Sequence, residues 1–272
     1  MKVYICADIE GTAGVVSPQQ CAAGNPEYER ARLLMTEEIN AAIAGAAEAG
    51  ADDIVVNDAH GSMINLLPDR LDPRARAIQG KPKPFNMFAG LADGTAAILC
   101  TGFHAPAGDF GVLAHTTSSL SFRAVELDGR RMSEAALYGA YAGERGIPVA
   151  MIAGDDVCAA HCAEWFPLAE RVTTKRALGN RAAESLHPAA ARAAIHAAAA
   201  RALARVRGIP PLRLETPREL VLDLTGTALA DLIATIPGTD RLDPTRVRLP
   251  VASAADAVRW VNVAAAMAAA LR

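Results

Sequence analysis

Six side chains in this sequence are of the kinds that hold divalent metals or move protons, and they recur in similar settings: Asp8, Glu10, His60, His104, His115 and Glu134. Asp8 and Glu10 close the apolar run at residues 3–7 and are followed by Gly11 and Gly14. In an extended chain such i, i+2 side chains point the same way, roughly 6.5 Å apart. His60 follows the apolar run at 53–57, and His104 follows the run at 95–101. His115 lies in a loop of Gly, Ala, Ser and Thr, and Glu134 stands next to Ser133, a candidate helix N-cap. Carboxylate with imidazole suits zinc, and also manganese or cobalt. Two histidines and three carboxylates, one of them bridging, give each of two metals three protein ligands and leave room for water or substrate. Asp8 is the preferred bridge, because Glu10 stands beside it. The four positive charges of two zinc ions are balanced by three carboxylates and one hydroxide, which suits a low-dielectric cleft. A metal pair roughly 3.5–4 Å apart activates a hydroxide and polarises a carbonyl, so the chemistry is hydrolysis.

The elements that must position these residues alternate. The run at 3–7 is a buried strand, and residues 26–50 carry Tyr28, Ala31, Leu34, Met35, Ile39 and Ile43 at helical spacing. A second strand at 53–57 completes a strand–helix–strand unit, which makes the two strands parallel with their C-terminal ends on one edge. That edge is where open α/β sheets bind ligands. A short strand at 75–78 and a third buried strand at 95–101 follow. Then come an alternating strand at 120–127, an Asp128-Gly129 hairpin turn, a helix from Ser133 to Glu144 and a strand at 148–153. Helices are expected at 157–165, 188–207, 227–236 and 253–271, with strands at 219–224 and 246–251. The fold class is therefore α/β, a layered sheet with helices on both faces and a smaller α/β C-terminal part. Residues 1–180 read as a metal-binding catalytic domain. Residues 181–272 read as the C-terminal α/β part, separate or within the same domain.

Composition narrows the partners. A formal net charge of −3 over 272 residues implies no general attraction to nucleic acid or to an acidic membrane surface. Five cysteines in a chain of this length do not make a disulfide framework. Cys158 and Cys162 share a helix without a second cysteine pair and read as helix residues. The C-terminal apolar run is too short to span a bilayer. The N-terminal run is too short for a secretory leader and meets acids at once. The reading is a cytoplasmic protein.

The ordered motifs resemble a known family. They are Ala7-Asp8-Ile9-Glu10-Gly11, the segment Asn57 to Asn65, Gly102-Phe103-His104-Ala105 and the Ser133-Glu134 helix start, with Tyr28-Glu29-Arg30, Met35-Thr36-Glu37-Glu38 and Lys83-Pro84-Phe85 between them. Together they resemble the D-aminopeptidases of peptidase family M55 over most of residues 1–156 and more loosely beyond. The resemblance implies a binuclear zinc exopeptidase acting on short peptides with an N-terminal D-residue such as D-Ala. It implies metal roles for Asp8, Glu10, His60, His104 and Glu134 and a catalytic role for His115, with two zinc ions per chain. It also implies a ring-like homo-oligomer, a decamer. The segment between His115 and Glu134 is one residue longer than the family pattern, which makes Glu126 a competing carboxylate. Two rival readings are a two-metal phosphoesterase, with Lys81 and Lys83 for the phosphate, and a non-catalytic ligand-binding α/β protein. The second lacks both a phosphate-binding G-x-x-x-x-G-K-[ST] loop and a dinucleotide G-x-G-x-x-G.

Overall fold

The computed structural model describes residues 1–215 and 219–271. The first strand, β1 (Lys2–Ala7), is followed by α1 (Pro26–Glu48), β2 (Asp53–Asp58), β3 (Ala75–Ile78) and β4 (Ala97–Phe103). Next come β5 (Phe122–Leu127), β6 (Arg130–Arg131), α2 (Glu134–Glu144), β7 (Val149–Asp155) and α3 (Asp156–Trp165). The rest comprises β8 (Glu170–Gly179), β9 (Ala182–Ser185), α4 (Pro188–Ala204), β10 (Glu219–Leu224), α5 (Thr227–Ile233), β11 (Asp240–Arg241), β12 (Arg246–Pro250) and α6 (Ala254–Ala269).

Seven strands form one sheet in the order β3-β2-β1-β4-β7-β8-β9. All neighbours are parallel except the β8–β9 hairpin. From β1 the chain winds outward through β2 and β3, then returns to lay β4 on the other side of β1. The strand order thus reverses between β1 and β4, the place where an open α/β sheet leaves a crevice at its carboxyl edge.

β1 shows why this sheet forms. Val3, Ile5 and Ala7 enter one core with α1 and α4, while Tyr4 and Cys6 enter the other with α2 and α3. Both faces are covered, so the strand reads as a continuous apolar run, as central parallel strands do. The second sheet is antiparallel, in the order β11-β12-β10-β5-β6. Its inward residues Leu220, Leu222, Val247 and Leu249 share the core of α2 and α6. The α/β layering expected from the sequence is therefore present, with helices on both faces of the larger sheet.

Two features were not foreseen. The β8–β9 hairpin has no apolar alternation, because its exposed positions mix Arg171, Thr173, Arg176 and Glu184 with Leu178 and its inward ones include Thr174 and Lys175. Asp8 and Glu10 also do not lie on a strand face. β1 ends at Ala7, and the two acids converge through a turn in which Thr12 N–H donates to the Ile9 carbonyl at 3.1 Å.

Candidate metal centre

The turn after β1 is set by backbone contact with the end of β4. Asp8 N–H donates to Thr101 O at 2.8 Å and Gly11 N–H to Gly102 O at 2.7 Å. These segments touch so closely that only glycine fits. A Cβ on Gly11 would stand 1.9 Å from the Phe103 carbonyl oxygen, and one on Gly102 would stand 1.9 Å from the Asp8 carbonyl oxygen. Gly102 also has φ +79 and sits at a register shift between β4 and β7, a bulge that bends the strand end toward the turn. Gly11 is thus a contact point that places Asp8 and Glu10 beside His104.

The other members arrive from three further elements. His60 follows β2, where Ala59 N–H continues the ladder to Ala7 O. Asp58, the last residue of that strand, accepts from the backbone N–H groups of Asn65 and Leu66 and shapes the loop beyond His60. His104 follows β4 directly. Glu134 opens α2, whose N-cap Ser133 accepts from Ala136 N–H at 3.1 Å. His115 comes from the loop between β4 and β5. That loop is tied down by Asp155, whose Oδ2 accepts from Val112 N–H at 2.7 Å.

All six residues meet in one buried cluster. His60 Nδ1 lies 3.3 Å from Asp8 Oδ1 and 3.0 Å from Glu10 Oε2. His104 Nε2 lies 3.6 Å from Asp8 Oδ2 and 3.4 Å from Glu134 Oε2. The two oxygens of Asp8 therefore face two different histidines. His115 stacks on His104 with ring centroids 4.1 Å apart, and its Nε2 lies 3.9 Å from Glu10 and 3.7 Å from Glu134. Three triads have donor atoms close enough to share an ion: Asp8, Glu10 and His60; Asp8, His104 and Glu134; Glu10, His104 and His115.

Each histidine is oriented through its other nitrogen by a backbone carbonyl. His60 Nε2 donates to Cys21 O at 2.7 Å, His104 Nδ1 to Ala105 O at 3.0 Å and His115 Nδ1 to Leu113 O at 2.8 Å. A carbonyl only accepts, so these nitrogens carry the proton, and a neutral ring then turns its bare nitrogen toward the carboxylates. Backbone carbonyls holding the far nitrogen are the usual second layer around metal-ligating histidines. His104 Nε2 is buried without any hydrogen-bond partner, and Glu10 Oε2 is buried with only the close contact to His60 Nδ1. Buried polar atoms rarely stay unpaired. These two face the middle of the cluster, and a divalent cation among them satisfies both.

The electrostatics agree. Burial, reinforced by the Glu10 and Glu134 carboxylates, pushes the Asp8 carboxyl up to about 8. Against the cost of their own burial, the carboxylates around them hold His60 well above its usual value and raise His104 to about 10. His115 goes the other way: burial and the neighbouring His104 charge lower it. Protons on His60 and His104 thus do in the metal-free cluster what cations do in a loaded one. Metal binding must displace them.

Other candidates are placed elsewhere. Glu126 faces out of the second sheet toward Arg246 at 3.6 Å and belongs to none of the triads. Lys83 Nζ is engaged by Asn57 Oδ1 at 2.6 Å and Asp58 O at 2.7 Å, so it braces the end of β2 and is not free for a phosphate. Lys81 is exposed. Cys158 and Cys162 are buried α3 residues with sulfurs 4.0 Å apart. Lys175, absent from the sequence reading, is buried under the Asp8–Glu10 turn. No sequence signal marks it, because strand alternation from the inward Val172 would turn Lys175 outward.

A model of peptidase family M55, the D-aminopeptidases, matches residues 1–263. The chain belongs to the M55 family of D-aminopeptidases. A D-aminopeptidase from Bacillus subtilis (strain 168) is 34% identical over 240 residues, covering 88% of this chain and 87% of that one. The structure of the zinc-dependent D-aminopeptidase DppA from Bacillus subtilis, described as a self-compartmentalizing protease, superposes with a TM-score of 0.95. The superposition covers 99% of this chain and 98% of DppA at 32% identity. The M55 assignment accounts for the buried acid–histidine cluster and leaves the phosphoesterase and binding-protein readings without support.

Proposed function

We propose that this M55 peptidase removes N-terminal D-residues, such as D-Ala, from short peptides with two zinc ions per chain held by Asp8, Glu10, His60, His104 and Glu134. The observation that carries this reading is the division of Asp8, one oxygen toward His60 and Glu10 and the other toward His104 and Glu134. That is the arrangement a bridging carboxylate needs. When bound, zinc supplies a Lewis acid for the scissile carbonyl and lowers the pKa of water to near neutrality.

The chain's own groups do the rest. His115 is the reachable base of the cluster. Its side chain is 15% exposed, against 11% for His60, whose Nδ1 is engaged by Asp8 and Glu10, and 1–6% for Asp8, Glu10, His104 and Glu134. With Nδ1–H held by Leu113 O, His115 accepts a proton at Nε2 from the attacking water and returns it to the leaving amine. Glu10 and Glu134, both held ionised by the histidines around them, stabilise the imidazolium in between. A carboxylate of the cluster also suits the free α-amine of the substrate, which favours cleavage at the N-terminus.

DppA is described as self-compartmentalizing, and we extend closed homo-oligomer assembly, with ten copies as the specific form, to this chain. Phe110 and Leu120, 72% and 62% exposed, support it as large apolar side chains in the loop region that carries His115. Among the described residues no helix is long and apolar enough to cross a membrane.

Elemental analysis of protein never exposed to chelator should give two zinc ions per chain, and the protein should cleave D-Ala-D-Ala faster than its L-isomer and leave a phosphodiester intact. Absence of any divalent metal ends this reading. Light scattering should give the mass of ten 28.3 kDa chains.

A further inference from the structure

The loop that carries Asp8 and Glu10 is gripped from beneath by β8. Lys175 is 1% exposed, and its ammonium donates to the carbonyl oxygens of Glu10 at 2.5 Å, Thr12 at 2.9 Å and Val15. An ammonium has three donors, and here all three end on one short stretch of backbone. The neighbouring Thr174 hydroxyl, also buried, donates to Gly11 O at 2.5 Å, with Gly154 O at 3.0 Å. Four carbonyls of residues 10–15 are therefore collected by two consecutive side chains.

Consecutive residues of a regular strand point to opposite faces. Here they do not, because β8 shifts register against β7: Thr173 pairs with Gly154 and Lys175 with Asp155. Thr174 is the extra residue of a bulge, and the bulge turns both side chains inward. Bulges recur beside active sites, where they re-aim side chains. Glu38 of α1, a buried carboxylate whose charge also acts on Lys175, accepts from Ala13 N–H at 2.9 Å. The loop is thus held through its carbonyls by β8 and through an amide by α1.

A lysine is seldom buried, because desolvating an ammonium is costly. If only volume were needed under the loop, methionine would fill it without that cost. The three carbonyls, with the buried Glu38 carboxylate nearby, are the reason for a charge here. We propose that Lys175, assisted by Thr174, is a positioning residue for the metal centre: it fixes the backbone of residues 10–15 so that Asp8 and Glu10 present their carboxylates in ligand geometry. The proposal rests on the reading of those two acids as zinc ligands. Ligand carboxylates must be held to within ~0.5 Å, and a loop without such a support is too loose to do so.

The test measures zinc affinity by competition with a chelating dye, well below the melting temperature, together with amide exchange of residues 9–16. Lys175→Met keeps side-chain length and removes all three donors. It should weaken zinc binding by about 10–100-fold, the usual effect of an outer-layer substitution, and should speed exchange in the loop. Thr174→Val removes one donor and should weaken zinc roughly 2–10-fold. A lysine serving stability alone would lower the melting temperature and leave zinc affinity in place. Folded Lys175→Met protein that binds zinc within about twofold of the parent, less than any outer-layer effect, overturns the proposal. If Lys175→Met does not fold, Thr174→Val decides: unchanged affinity and unchanged loop exchange overturn it. A parent that binds zinc while the variants match it defeats only this proposal; a parent that binds none defeats the zinc reading as well.

Discussion

Glu126 and Glu134 stand close together in the sequence and belong to opposite regimes. Glu126 is on the second sheet, 28% exposed, near an Arg246 that is 40% exposed. Glu134 is on the edge of the first sheet's crevice, 5% exposed, among histidines and two other carboxylates. The same contrast runs through the two regions. The second sheet carries pairs such as Arg123–Asp223 at 2.9 Å and Arg248–Asp240 at 2.7 Å, all with substantial solvent contact. Exposed pairs of this kind contribute about 0–1 kcal/mol each. At the crevice, three carboxylates are buried together, an arrangement that is strongly unfavourable unless positive charge joins them. A charged side chain therefore reports function here by its burial and its company, not by its type.

The largest effect should come from the residue at the centre of the cluster. Asp8→Ala should lower turnover about 10⁴-fold or more, the scale for a member of a unit that acts together, and should reduce zinc content in elemental analysis. Retention of both would mean that Asp8 is not shared. His115→Ala should keep the fold and the zinc and lower kcat by roughly 10²–10⁴-fold, the worth of a positioned acid/base. Zinc stoichiometry and kcat measured on one preparation separate the alternatives: loss of metal makes His115 a ligand, and near-normal turnover removes it from the mechanism.

A smaller effect concerns pH. In chelated protein His104 has a pKa of about 10 against 6.5 for the free side chain. A folded-state value above the unfolded one stabilises fully below the unfolded pKa and is lost as pH rises through the folded one. The melting temperature of the metal-free protein should therefore fall between pH 6.5 and about 10. Zinc-loaded protein should fall less, because the metal has already displaced that proton. Equal slopes with and without zinc would show that His104 does not exchange a proton for a metal. The smallest effect belongs to the second sheet: Glu126→Ala should change stability by at most about 1 kcal/mol in denaturant titration and leave zinc content as in the parent. A loss of zinc there would erase the contrast and move Glu126 into the site.

Much of this was legible before any coordinates. β1, β2 and β4 announce themselves as apolar runs, and α1 by its 3.6-residue period, because burial on both faces of a parallel sheet demands apolar residues throughout. Asp8, His60 and His104 stood out because each follows such a run. The Ser133 cap marked the start of α2 and singled out Glu134 over Glu126. The β8–β9 hairpin was not legible. Its inward positions mix Val172 with Thr174 and Lys175, and the bulge at Thr174 breaks the period-two pattern on which strand recognition depends.

What the sequence by itself determined is the inventory of the site: the strands β1, β2 and β4, the parallel pairing of β1 with β2, and the acids and histidines that gather at their carboxyl ends. Local pattern suffices for that, since periodicity and caps act over a few residues. The tertiary structure alone decided the geometry. The Gly11–Gly102 contact turns two acids off the strand axis, Asp8 divides its oxygens between two histidines, and three backbone carbonyls choose the histidine tautomers. It also brought Lys175 beneath a loop that precedes it by more than half the chain. Such contacts depend on the packing of distant segments, and no window of neighbouring residues encodes where a distant carbonyl will point.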